Sequence, residues 1–189
     1  TENLRAALPR GVPRVVIARC NAGPMPHDHW MRDPISGGGR IVGELCHFLD
    51  LACALAEGEP RRISAEAIAS PEPAELADTL VVQVSFSCGS VASLQYLGNG
   101  DPSIPKERIE VYGGGVVGII DDFVALEIGQ GGKRNRSRGH RQEKGHRGGG
   151  ADHRGLKVLE ELEVHLRVAG PYGQGHGAEA LAPVLEAHA

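Results

Sequence analysis

The sequence predicts an α+β domain, an open, predominantly antiparallel β-sheet with helices packed on one face. One strongly periodic helix, over residues 40–57, is followed by about five short strand-like segments. Tight glycine-containing turns join most of those segments, as neighbouring antiparallel strands require. The regular helix–strand alternation of a doubly wound parallel sheet is absent.

Residues 14–20 (RVVIARC) are short and β-branched and read as a strand. Residues 21–39 contain Pro24, Pro26 and Pro34 together with several glycines and read as a long loop. In residues 40–57 (RIVGELCHFLDLACALAE), Ile41, Leu45, Phe48, Leu49, Ala52, Leu55 and Ala56 recur at helical spacing on one face. Gly58 and Pro60 end that helix. The period then changes to two at Ile63, Ala65, Ala67 and Ala69. Residues 79–87 and 90–97 flank a Cys-Gly turn as one hairpin, and 107–112 with 116–121 form a second across Gly113–Gly115. Residues 129–150 have no periodicity and are expected to form a flexible loop or linker, and residues 156–168 recover helical spacing at Leu156, Leu159, Leu162 and Leu166.

With 189 residues, 41% of them hydrophobic and 23% charged, the chain has globular proportions and the length of a single domain. No apolar run reaches the roughly 20 residues that span a bilayer, so no membrane association is expected and the location is expected to be cytoplasmic. The four cysteines, Cys20, Cys46, Cys53 and Cys88, form no C-x-x-C pair, which argues against a zinc knuckle or a dithiol redox motif. Residues 133–147 hold seven Lys/Arg against one acid, Glu143; subtracting that +6 from the net −4 leaves −10 for the remainder. One basic loop on an acidic body, without interleaved aromatics, does not describe a nucleic-acid-binding surface.

Gly113–Gly118 fits the spacing G-x-G-x-x-G, but a dinucleotide site needs a helix opening directly after the glycines and an acid some 20 residues on. Here the glycines lead into a β-branched run, with Asp121 and Asp122 close behind. A glycine-rich hairpin turn is the better reading, and no cofactor-binding residue is assigned to this chain.

The candidate site lies at the loop-to-helix junction, residues 27–50. Gly37, Gly38 and Gly39 allow close backbone approach, and the helix that follows turns its free N–H groups to the same space. Glu44 and His47 are three residues apart, so their side chains are neighbours, and a carboxylate beside an imidazole is a candidate acid–base pair. A hydroxyl oxidised to a carbonyl needs a group to take its proton, and His47 is the candidate. The alternative, an ordinary boundary histidine on the flank of an amphipathic helix, stays open on spacing alone.

GGGRIVGELCHFLDL resembles the opening of the C-terminal domain of the glucose–fructose oxidoreductase / myo-inositol dehydrogenase (Gfo/Idh/MocA) family. The segments RVVIARCNAGPMPHDHW, SFSCGSVASLQY and ERIEVYGGGVVGIIDDF resemble, in the same order, that domain's first strand and loop, its hairpin and its later strands. The resemblance covers roughly residues 12–146 and leaves residues 147–189 as a divergent tail, expected to carry one or two short helices and to be poorly ordered in part.

The resemblance implies an NAD(P)-dependent oxidoreductase acting on a sugar or sugar-nucleotide hydroxyl. His47 matches the family histidine beside the nicotinamide and the reacting hydroxyl. The acid often found four residues earlier is here Gly43, and Glu44 stands in its place. Arg19, Asn21, Trp30 and Arg40 fall where the family lines its sugar pocket, and Asp50 closes the H-x-x-D pattern. NAD or NADP would be held only by a missing or separate Rossmann domain, without which the chain is expected to be inactive. A homo-oligomer through the sheet face is also implied.

Two other functions stay open. One is a non-catalytic sugar-binding or assembly module. The other is a metal site through His27, His29 and His47, disfavoured because the prolines make that segment a loop and no further ligand is fixed by spacing.

Overall fold

The structure, a computed structural model, describes residues 2–33, 37–69 and 77–138, and the backbone of strands at 164–168 and 179–180. A short helix, α1 (Glu2–Ala7), precedes the first strand, β1 (Val15–Asn21). A single 3₁₀ turn (Trp30–Arg32) and a π-helical turn (Ile41–Leu45) then lead without interruption into helix α2 (Cys46–Ala56). Strands β2 (Pro60–Ala67), β3 (Thr79–Phe86), β4 (Val91–Leu97), β5 (Glu107–Gly113), β6 (Val116–Asp121), β7 (Ala125–Gln130) and β8 (Lys133–Arg138) follow. Two further strands, β9 (Val164–Val168) and β10 (Glu179–Ala180), complete the described elements.

All of these strands belong to one sheet of order β10-β9-β2-β3-β4-β1-β5-β6-β7-β8. The pairings β1–β4 and β2–β9 are parallel and the others antiparallel. The expected α+β class with a mostly antiparallel sheet is therefore the observed one. Two parts of the sequence reading are corrected. Residues 129–138, expected as linker, continue β7 and form β8, because Gly131 and Gly132, both at positive φ, make a two-residue turn that returns the chain. Helical spacing around Leu166 does not hold, since Val164–Val168 pairs with β2 as a strand, the sheet edge overriding local periodicity. Residues 139–163, 169–178 and 181–189, with the rest of the tail reading, lie outside the described residues.

The alternation of side chains fixes which face is covered. Val16, Ala18, Cys20, Ile63, Ala65, Val82, Val84, Leu94, Tyr96, Ile109 and Val111 all point to one side and are buried. Ile41, Leu45, Leu49, Ala52, Leu55 and Ala56 from the helical segment pack onto them, and Leu4 and Leu8 cover the adjoining strands. Gly118 on β6 makes room for α1, since a Cβ there would lie 1.9 Å from Leu4 Cδ1. The opposite face is open. On it a row of apolar side chains runs across four strands, through Val91, Val15, Tyr112 and Val117. Val15, Val91 and Tyr112 are each about 40% exposed.

The C-terminus of α2 is tied to the sheet by Arg14, a guanidinium only 2% exposed. Its Nη1 donates to Leu55 O at 2.6 Å, and its Nη2 donates to Pro9 O at 2.8 Å and to Glu57 Oε2 at 2.9 Å. Glu57 itself ends the helix in the left-handed region, at φ 56°. A buried cation that caps a helix carbonyl and pairs with a carboxylate leaves several groups unsatisfied when removed. Arg14→Met is expected to destabilise the fold by about 3 kcal/mol, read as a lower urea midpoint at unchanged m-value. A loss below about 0.5 kcal/mol would show that this cap is dispensable.

Candidate active site

The glycine triplet is required by geometry. Gly38 and Gly39 have φ of 63° and 81°, a region that disfavours side chains. At Gly37 a Cβ would come within 2.4 Å of the Met31 backbone. Gly37 N and Gly38 N both donate to Asp33 O, at 2.8 and 3.0 Å, so the 3₁₀ turn and the helix start are bound to each other. His29 caps the 3₁₀ turn by accepting from Met31 N at 3.2 Å. Trp30 stands 60% exposed beside the His29 ring, with centroids 5.9 Å apart.

Helical backbone runs from residue 39 to residue 56, but in its first part Cys46 N–H bonds to Ile41 O, five residues back. Such a widened turn rotates the side chains that follow it, and π turns recur at functional sites. Here the two residues expected to pair lie within and just after that turn, in different surroundings. Glu44 faces the sheet, where its Oε2 accepts a short hydrogen bond from the Tyr96 hydroxyl and lies 3.7 Å from Lys106 Nζ. His47 is exposed on the helix surface. Among the described residues no hydrogen bond joins Glu44 to His47. Gly43 rests against Met31, whose Sδ would lie 3.3 Å from an added Cβ.

The other candidates divide between faces and roles. Arg40 is buried, donating from Nη1 to Gly23 O at 2.6 Å, with its guanidinium carbon 5.8 Å from the Tyr96 ring centroid and Asp78 Oδ2 4.0 Å from Nη1. Asn21 is buried too, and its Nδ2 donates to Asp101 O at 2.7 Å and Ile104 O at 3.2 Å, bracing the loop before β5. Arg19 stands in register with Gln95 and Arg108 on the open face of the sheet, away from α2, and donates to Pro105 O at 3.3 Å. Asp50 is partly buried on α2.

The structure thus brings Arg40 and Glu44 together around Tyr96, leaves His47 and Trp30 exposed, and puts Arg19 on the other side. Tyr96 and Lys106 were missed from sequence. Alternation in SLQYL could have marked Tyr96 as a core-facing phenol needing a partner. Nothing in the sequence around Lys106 points to Glu44.

Burial, then the hydrogen bond and charge of Glu44, push the Tyr96 phenol well above its ordinary value. It is a donor here, not an ionised group. Burial likewise pushes the Cys20 thiol up to about 12, only partly offset by Lys106. Among the described residues no three His, Cys, Asp or Glu side chains gather as metal ligands, and no helix is long and apolar enough to cross a membrane. The glycines at 113–118 do not fit a dinucleotide, since Gly114 and Gly115, at φ 57° and 77°, turn β5 directly into β6 and no helix follows.

The thiols give a check on the core. In native protein at pH 8, iodoacetamide is expected to modify Cys88 first. For that exposed thiol, burial, which raises its pKa, is outweighed by hydrogen bonding with Ser90, which lowers it. Cys20 and Cys46 should stay unmodified. A folded-state thiol at about 12 against an unfolded value of 9.0 means stability is intact below pH 9 and falls as pH rises towards 12. Rapid alkylation of Cys20 in folded protein would contradict this.

Residues 11–115 match the family described as GFO/IDH/MocA C-terminal domain. Comparison with curated protein sequences returns no match. Solved structures with the same fold include UDP-N-acetylglucosamine 3-dehydrogenase GnnA from Acidithiobacillus ferrooxidans, at 20% identity and TM-score 0.59, covering 75% of this chain and 43% of that one. Aldose-aldose oxidoreductase from Caulobacter crescentus, in complex with glycerol, has 20% identity and TM-score 0.60, covering 76% and 44%. The WlbA dehydrogenase from Bordetella pertussis, in complex with NADH and UDP-GlcNAcA, has 16% identity and TM-score 0.51, covering 64% and 38%. The chain spans about two fifths of the length of each of these proteins. With more than half of its residues inside the family match and its glycine-turn helix laid on an open sheet, the chain belongs to the GFO/IDH/MocA family through its C-terminal domain.

Proposed function

We propose that this chain is the substrate-side half of an NAD(P)-dependent oxidoreductase acting on a hydroxyl of a sugar or sugar nucleotide. The observation that carries it is His47, an imidazole left open to solvent on the helix that the glycine turn sets down on the sheet. Its task is the proton. The ring accepts the hydroxyl proton as the carbonyl forms, and its exposure leaves room for a substrate to approach. Trp30, exposed on the neighbouring 3₁₀ turn, offers an aromatic face to the C–H side of a sugar ring. Asn21 and Arg40 shape the site by holding the surrounding loops, and Glu44, gripped by Tyr96, secures the start of the helix. The glycines at 113–118 turn β5 into β6 rather than opening a helix, which supports assigning this chain the substrate side. The likeness to a UDP-N-acetylglucosamine 3-dehydrogenase and to a dehydrogenase in complex with NADH and UDP-GlcNAcA favours a sugar nucleotide.

The open face of the sheet is proposed as the surface on which two copies meet. The row Val91–Val15–Tyr112–Val117 presents β-branched and aromatic side chains to solvent, and Arg108, Glu110 and Asp121 form ion pairs beside it. An apolar strip edged by charge is the composition of an interface core and its rim.

Two measurements test these assignments. In protein joined to a Rossmann half, His47→Asn is expected to lower turnover of UDP-N-acetylglucosamine with NAD by about 10²- to 10⁴-fold at little change in KM. Wild-type turnover with no effect of the substitution would remove His47 from the chemistry, and sugar binding by a joined protein that never turns over would favour the binding-module alternative. By sedimentation, Val15→Asp is expected to convert a dimer of this chain to monomer. A wild-type chain already monomeric at about 100 μM, a concentration far above the dissociation constants of stable interfaces, would reject the sheet-face assembly.

A further inference from the structure

Glu44 has been read as the partner of an acid–base histidine, and the structure gives its carboxylate another occupation. Tyr96 is 1% exposed, at the last core-facing position of β4, and its hydroxyl donates to Glu44 Oε2. A buried phenol without an acceptor would lose a full hydrogen bond, so this contact is a strong local constraint on both residues. Lys106 approaches the same oxygen from the strand-entry loop, and its own backbone carbonyl accepts from Asn21 N at 2.7 Å. Three segments, the helix start, β4 and the approach to β5, therefore converge on one carboxylate.

That carboxylate belongs to the π turn. A regular α-helix would place residues 44 and 47 on neighbouring lines of one face. The five-residue hydrogen bond from Cys46 N to Ile41 O inserts extra backbone between the flanking turns and changes the relative rotation of what comes after. π turns are poorer in packing than α turns and persist where surrounding contacts hold them. Glu44 is the polar side chain of this turn with a described anchor in the sheet. Arg40, just before the turn, is fixed separately to Gly23.

We propose that Glu44 is a positioning residue: the grip of the Tyr96 hydroxyl on its carboxylate holds the π turn Ile41–Leu45 and thereby sets the direction in which His47 is presented. The consequence for chemistry rests on the function proposed above, but the geometric claim stands apart from it. Lys106, with its side chain 45% exposed, reinforces the grip without being its main component.

The test is made on the whole chain by NMR, without substrate or nucleotide. In Tyr96→Phe, amide exchange at Cys46 and His47 is expected to accelerate tenfold or more relative to Leu55 and Ala56, whose end of the helix Arg14 holds. The His47 ring Cε1–Hε1 signal should move from its wild-type position. Glu44→Ala should give the same pattern, Glu44→Gln, which keeps an acceptor for the hydroxyl, should restore both readouts to near wild type, and Lys106→Met should change exchange less than threefold. Uniform acceleration along the whole helix, or a stationary His47 signal in Tyr96→Phe and Glu44→Ala, overturns the proposal. Should Tyr96→Phe fail to fold, Glu44→Ala against Glu44→Gln decides alone: equal behaviour of the two overturns it. Intact turnover in His47→Asn would defeat the catalytic assignment while leaving these readouts to judge the turn.

Discussion

The two hydrogen-bond ladders that flank β1 are what the rest of the structure depends on. On one side β1 pairs in parallel with β4, and on the other antiparallel with β5. The run β2-β3-β4 and the run β5-β6-β7-β8 are each simple meanders, and β1 is the strand that joins them into one sheet. Because β1 precedes α2 in sequence and is central in space, the chain must leave its end, cross above the sheet and return at β2, beyond β4 and β3. That crossing is the loop, the glycine triplet and the helix. The placement of every candidate residue on that path follows from pairings made between segments 76 residues apart with β4 and 87 to 97 apart with β5.

The helix is held at both ends by charged side chains rather than by apolar packing alone. At the C-terminal end Arg14, next to β1, satisfies Leu55 O and pairs with Glu57. At the N-terminal end Arg40 reaches back to Gly23 O, and Glu44 reaches down to Tyr96. Between them Leu49, Ala52 and Leu55 share one buried core with small residues of the strands, among them Ala18, Ala65 and Ala92. Packing and polar anchoring thus act together at the helix.

The two faces of the sheet carry different chemistry because of the same alternation. Glu127 illustrates the price of burying charge on the open side, where it is 7% exposed and is held by Arg134 and Arg136 from β8. An edge strand of sequence KRNRSR is also poorly suited to pairing with another edge, since its cations would meet cations. The apolar row through Val15 lies well inside that edge.

Much of this was legible in the sequence because it depends on local rules. Alternation at Ile63, Ala65, Val82, Val84, Leu94 and Ile109 marks core-facing strand positions wherever the strands pair. Apolar spacing in the helix, its Gly58 stop and the left-handed needs of Gly38, Gly39, Gly114 and Gly115 are likewise properties of short segments. Residues 129–138 and Val164–Val168 were misread because a strand there depends on a neighbour to pair with, and composition carries no record of the neighbour. The occupation of Glu44 was hidden for a related reason. Three-residue spacing speaks of His47 only if the helix is regular, and the carboxylate on this widened turn meets a buried phenol 52 residues away. Local sequence determined the elements and the faces they bury; the parallel pairing at β1, the side of the sheet on which Arg19 falls and the partner of each buried polar group were decided by long-range contacts, which only the folded chain makes.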